Sequence, residues 1–193
     1  MKKSDLAANA EKYREEILEY CQSKSTKAPA LKFTESRDKF IFALLLHVPI
    51  RLNSLHLIER NWIKDGVIYL PADAVKNRKE INIDLPALVL RKLNDYLALR
   101  TDNNQKLLVS YQGHPILKKS LYRTVYRRTE KAAGVRLGPH AFRSIVATWA
   151  SKLIGSEFAA DILVISPSVL RKHYYMSDET DKLRNALAKL RGV

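Results

Sequence analysis

The sequence predicts an α+β domain, mostly helical, with one small three-stranded antiparallel sheet. Three observations point there. NWIKDGVIYLP (61–71) places two β-rich runs around Lys64-Asp65-Gly66, and Asp-Gly suits a tight turn with positive φ. KNRKEINIDLP (76–86) follows with Ile81, Ile83 and Leu85 in alternation, the period of a third strand. Before and after this sheet the apolar residues recur at helical spacing, interrupted by short polar or Pro-containing turns.

The elements follow in order. SDLAANAEKYREEILEYCQSK (4–24) reads as an amphipathic helix, with Ser4 able to cap it and Leu6, Tyr13, Ile17 and Tyr20 as a rough stripe. SKSTKAPALKF (23–33) is polar and broken by proline, the pattern of a linker. TESRDKFIFALLLHV (34–48) predicts a buried helix capped by Thr34 and ended by Pro49, and LNSLHLIER continues as a short helix. Beyond the sheet, helices are expected near 87–100, 118–133, 139–154, 156–164 and 178–191, with TDNNQK (101–106) and SYQGHP (110–115) as turns. The chain therefore divides into an N-terminal helical arm and linker, 1–27, and one α+β domain, 28–193.

The strongest compositional fact is charge. Lys and Arg number 34 against 20 Asp and Glu, a net charge of +14 that points to a polyanionic partner, nucleic acid first. No apolar run reaches the roughly 18 residues that span a bilayer; the longest, FIFALLLHVPI (40–50), contains Pro49. The start, MKKSDLAANAEKY, has no apolar core of a secretory signal. A single cysteine, Cys21, excludes an internal disulfide framework and a cysteine-built metal site, and fits a reducing, cytoplasmic setting. The histidines at 47, 56, 114, 140 and 173 show no spacing that would hold a metal, and phosphate-loop, dinucleotide, zinc-protease and serine-hydrolase motifs are missing from the sequence. Neither metal nor cofactor is expected.

What remains is a dispersed set of basic groups and a late tyrosine. Arg51 follows the buried run LLLHVPI, with apolar residues on both sides. Lys76 falls in the turn before the third strand, beside Arg78 and Lys79; taken alone it reads as a solvated lysine. In PHAFRS (139–144) His140 and Arg143 stand three apart, on one face of a helix's first turn. Free backbone N–H groups and the positive dipole end attract anions there, so the pair has the look of a phosphate grip. Tyr174 and Tyr175 follow the basic stretch LRKH, which contributes Arg171 and Lys172.

Taken in order, Arg, Lys, His-x-x-Arg and Tyr, these positions resemble the catalytic domain of the tyrosine recombinases, the phage-integrase family, over about residues 30–180. The family's Gly-Leu-Arg-like bend corresponds to Pro49-Ile50-Arg51, and its sheet lysine to Lys76. Its H-x-L-R-H-T-like box corresponds to His140 and Arg143, and its nucleophile to Tyr174, which is 31 residues after Arg143. The chain departs from the pattern in having Ser144-Ile145 after Arg143. It departs again in ILVISPSVLRKHY, where Val164 or Ile165 takes the place of the usual histidine or tryptophan.

The resemblance implies site-specific cutting and rejoining of double-stranded DNA through a covalent 3′-phosphotyrosine, without metal or cofactor. The implied catalytic set is Arg51, Lys76, His140, Arg143 and Tyr174, with Arg78, Lys79, Arg171 and Lys172 holding DNA. It further implies a protein that is monomeric when free and tetrameric on DNA, with no membrane association. Three alternatives stay open on sequence: a type IB topoisomerase-like enzyme, a catalytically impaired recombinase-like DNA-binding protein, and a basic helical regulator.

Overall fold

The computed structural model describes residues 3–25, 28–48, 50–75, 78, 80–155 and 159 of the 193. Helices α1 (Lys3–Ala8) and α2 (Ala10–Gln22) open the chain, followed by α3 (Pro29–His47) and the single turn α4 (Leu52–Leu55). Strands β1 (Ile63–Lys64), β2 (Val67–Leu70) and β3 (Ile81–Asp84) come next, then α5 (Ala87–Leu97), α6 (Lys118–Ala133) and α7 (Pro139–Ile154). The class is the expected one: mostly helical, with a three-stranded antiparallel sheet in the order β1-β2-β3.

The organising element is α3. Phe40 to Leu46 are all buried, so this half of the helix is apolar around its circumference and takes the central position such a stretch requires. It packs against α2, α5, α6 and α7. Aromatic contacts join the layers: Phe42 meets Phe142 of α7 at 5.3 Å and Tyr20 of α2 at 5.7 Å, while Phe40 stacks on Tyr96 of α5 at 6.2 Å. The segment read as an arm shares this core, with Ile17 and Cys21 fully buried in it.

Charge is buried here as well. Asp38 accepts from Arg37 at 2.8 Å and from Arg128 Nε of α6 at 2.7 Å, while Arg37 Nη1 donates to the Val109 carbonyl. Each oxygen of the carboxylate therefore has a donor, which favours tolerating an ion inside a core. Lys39 Nζ donates to the Ser23 carbonyl and to Ser25 Oγ, fastening the end of α2 to α3.

Three local expectations change. The first helix is two helices, because the chain turns at Asn9; Ser4 lies inside α1, which begins at Lys3, rather than capping it. The central helix starts at Pro29, not after Thr34. Proline suits a first helical position, burial of Phe33 against Tyr96 draws the extra turn into the core, and Thr34 Oγ1 bonds back to the Ala30 carbonyl. The predicted linker is shorter accordingly. The sheet turn is as anticipated, with Asp65 (φ 51) and Gly66 (φ 79) both left-handed. The helices expected at 156–164 and 178–191 lie outside the described residues, apart from Ala159, which is helical and buried.

Candidate active site

Arg51 stands at the N-cap of α4, held extended (φ −84, ψ 147). Its carbonyl accepts from the N–H groups of Ser54 and Leu55, both at 2.9 Å. Leu52, Ser54 and Leu55 are buried, which anchors the turn and leaves the Arg51 side chain half-exposed at its edge. Ser54 Oγ donates to the Ala74 carbonyl at 2.7 Å, so the Arg51 turn is tied to the segment that leads out of β2 toward Lys76.

His140 and Arg143 lie in the first turn and a half of α7. Gly138 precedes the helix without a capping side chain, Pro139, which has no N–H, takes its first position, and the Ala141 N–H donates to the Gly138 carbonyl at 2.9 Å, so what this helix start offers an anion is chiefly the positive end of its dipole. The loop before it is braced from α6. Thr129 Oγ1 accepts from the Leu137 N–H at 2.9 Å, and Tyr126 packs so close to Gly138 that a Cβ there would meet its hydroxyl at 2.7 Å. Gly134, at φ +63, ends α6 in the left-handed conformation that glycine adopts without strain. Arg143 is 4% exposed and His140 is exposed, so the guanidinium forms the floor of the site and the imidazole its rim.

These elements meet. Arg51, His140 and Arg143 line one small pocket of about 60 Å³, together with Ile50, Leu52, Asn53, Pro139 and Tyr122. Two arginines separated by 92 positions and one histidine thus share a cavity. Lys76, Lys79, Arg171, Lys172 and Tyr174 lie outside the described residues. Arg78 is exposed, left-handed at φ 50, and its N–H donates to the Val75 carbonyl at 2.9 Å.

Sequence reasoning missed Tyr122 and Asn53. Helical spacing separates Tyr122 from the buried positions Leu121 and Val125, but no local signal says that its face of α6 meets α4 and α7. The exposed side chains Lys118, Lys119, Arg123, Arg127 and Lys131 of α6 continue the basic surface from there. Among the described residues, no cluster of three or more His, Cys, Asp or Glu could hold a metal ion. No described helix is long and apolar enough to cross a membrane.

Comparison with known proteins decides the family. Residues 10–162 match the model of the phage integrase family. The chain belongs to that family. Among curated integrase-family proteins it is similar to the tyrosine recombinase XerA of Thermococcus onnurineus (strain NA1), with 28% identity over 118 residues, 60% of this chain and 42% of the relative. The chain thus spans under half the length of that recombinase. Among solved structures, the XerA recombinase superposes with a TM-score of 0.68 at 18% identity, covering 94% of this chain and 62% of the other. The lambda integrase catalytic core superposes with a TM-score of 0.56 at 19% identity, covering 81% of this chain and 93% of the core. XerH bound to difH substrate in a pre-cleavage complex gives a TM-score of 0.66 at 19% identity, over 91% of this chain and 51% of that one. At these identities the structural likeness establishes the integrase-type catalytic fold.

Proposed function

We propose that this chain is the catalytic part of a site-specific recombinase that cuts and rejoins double-stranded DNA through a covalent 3′-phosphotyrosine. The observation that carries the reading is the shared pocket of Arg51, His140 and Arg143 in a chain of the integrase family.

The chemistry follows from charge. A phosphodiester under attack gains negative charge on its non-bridging oxygens, and guanidinium groups, always protonated and forked, stabilise it. Arg51 and Arg143 take that role. The Tyr174 oxygen forms the new bond to phosphorus as the bond to the 5′-oxygen breaks, and the phenolic proton passes to His140. Lys76 gives the 5′-oxygen its proton. The phosphotyrosine conserves the ester, so the reverse attack by a 5′-hydroxyl reseals the strand without an energy source.

Residues 28–193 carry these groups and 1–27 brace them. Arg78, Lys79, Arg171 and Lys172 hold the flanking phosphates, with the net charge of +14 behind them. Solved relatives include a lambda integrase dimer on a core site and a tetramer bound to a Holliday junction. By analogy, this chain works as a tetramer on DNA, is monomeric when free, and acts in the cytoplasm. The test uses a duplex enriched by this chain from a randomised pool and then nicked beside the cut position, so that the cleaved product diffuses away. A denaturant-resistant protein–DNA adduct is the expected result. Its absence on every enriched duplex would overturn the reading.

A further inference from the structure

Tyr122 lies in the wall of the pocket that holds the two arginines and the histidine. Its helix cannot turn away. Leu121 and Val125 are fully buried on one side of α6, Arg128 is fastened to Asp38 at 2.7 Å, and Thr129 is bonded to Leu137. Successive helical residues point about 100° apart, so burial of Leu121 places Tyr122 beside the pocket, where it is half-buried. Among the described residues its hydroxyl makes no hydrogen bond and its ring stacks on no other aromatic residue. Its neighbour one turn on, Tyr126, packs against Gly138 instead. A phenol held at the edge of a cationic pocket, with its hydroxyl unpaired among the described residues, is a donor prepared for an anion.

We propose that Tyr122 is a phosphate-contacting residue of the reaction, its hydroxyl donating to one non-bridging oxygen of the phosphate under attack. This rests on the recombinase reading above. The contact adds a neutral donor to the two guanidinium groups. It strengthens as charge builds on that oxygen, so it acts on the rate of cleavage more than on DNA affinity. Tyr122 transfers no proton and forms no bond to phosphorus; Tyr174 does that.

The test compares wild type with Tyr122→Phe on the nicked duplex, carrying at the cut position a phosphodiester or one or other of the two diastereomers of a methylphosphonate, in which a methyl group replaces one non-bridging oxygen. Tyr122→Phe is expected to slow adduct formation roughly ten- to hundredfold on the phosphodiester, the usual range for losing one hydrogen bond to a charged group. On the diastereomer lacking the contacted oxygen, the two proteins should cleave at equal rates, a coupling that mere loss of folding stability would not produce. No slowing, or equal slowing on all three substrates, overturns the proposal and leaves the recombinase reading standing. An adduct that survives Tyr174→Phe but not Tyr122→Phe makes Tyr122 the nucleophile and overturns it as well. If wild type forms no adduct, the recombinase reading fails, and binding to duplexes with single methylphosphonates scanned along the strand judges the contact. Weaker binding by Tyr122→Phe at every duplex except one then supports it, and identical affinities across the scan overturn it.

Discussion

Arg128 and Asp38 meet at 2.7 Å inside the core, 90 positions apart in the chain. The pair joins α6, which carries Tyr122, to α3, which leads into the Arg51 turn, so it fixes the pocket from behind. Arg37 shares the carboxylate and reaches on to the Val109 carbonyl. Asp38→Ala leaves two buried guanidinium groups facing each other, and should cost about 3–5 kcal/mol of stability. Urea unfolding measures this. A loss below about 1 kcal/mol would mean that water reaches the site and takes over the bonds.

Gly138 holds the entry to α7 by having no side chain. A Cβ at this position lies 2.7 Å from the Tyr126 hydroxyl and 3.1 Å from Cζ. Gly138→Ala should therefore destabilise by about 1–3 kcal/mol through overpacking. Most of that loss should be absent when the same change is made in a Tyr126→Ala background, since the clash is then removed. Thermal denaturation of the four proteins of this cycle gives the coupling directly.

Burial pushes the Cys21 thiol up to about 12. Its Sγ donates to the Lys39 carbonyl at 3.6 Å. A thiol held protonated is a poor nucleophile, so Cys21 should resist an aromatic disulfide reagent at pH 8 in the native protein and react promptly in denaturant. The sign of the linkage follows from the raised value. The stabilising contribution is complete below the ordinary thiol range, near 8.5, and is lost as pH rises from there toward 12. Measured between pH 7 and pH 10, the stability advantage of wild type over Cys21→Ala should shrink.

DNA binding by this chain should weaken steeply with salt. With about 6 phosphates contacted, raising salt from 50 to 200 mM should reduce affinity on the order of a thousandfold. Fluorescence anisotropy with a labelled duplex reads the slope, and a flat dependence would contradict the electrostatic account of the +14 charge.

Tyr174 and Tyr175 are adjacent in the sequence, and the recombinase reading assigns the nucleophile to Tyr174. Tyr174→Phe should abolish the covalent adduct while leaving DNA affinity unchanged, because only a hydroxyl is lost. Tyr175→Phe should retain the adduct. The reverse result would shift the register by one residue.

Much of the fold was legible because its signals are local. Asp65-Gly66 specifies the hairpin turn, Gly134 ends α6, and Gly138-Pro139 opens α7, so the limits of those two helices coincide with the predicted 118–133 and 139–154. Where tertiary packing outweighed a local signal, the reading slipped. Thr34 looks like a cap in isolation, but burial of Phe33 carried the helix back to Pro29.

The sequence by itself determined the chemistry on offer: two arginines, a His-x-x-Arg spacing, a lysine, a late tyrosine and a large positive charge, in family order. Only the tertiary structure decided that Arg51, His140 and Arg143 share a pocket, and that Tyr122 and Asn53 join them. The physical reason is that periodicity states which residues lie on one face of a helix, whereas the meeting of two faces depends on long-range contacts. Here those contacts are the buried Asp38–Arg128 pair, the Ser54–Ala74 bond and the Thr129–Leu137 brace, none of which leaves a local mark in the sequence.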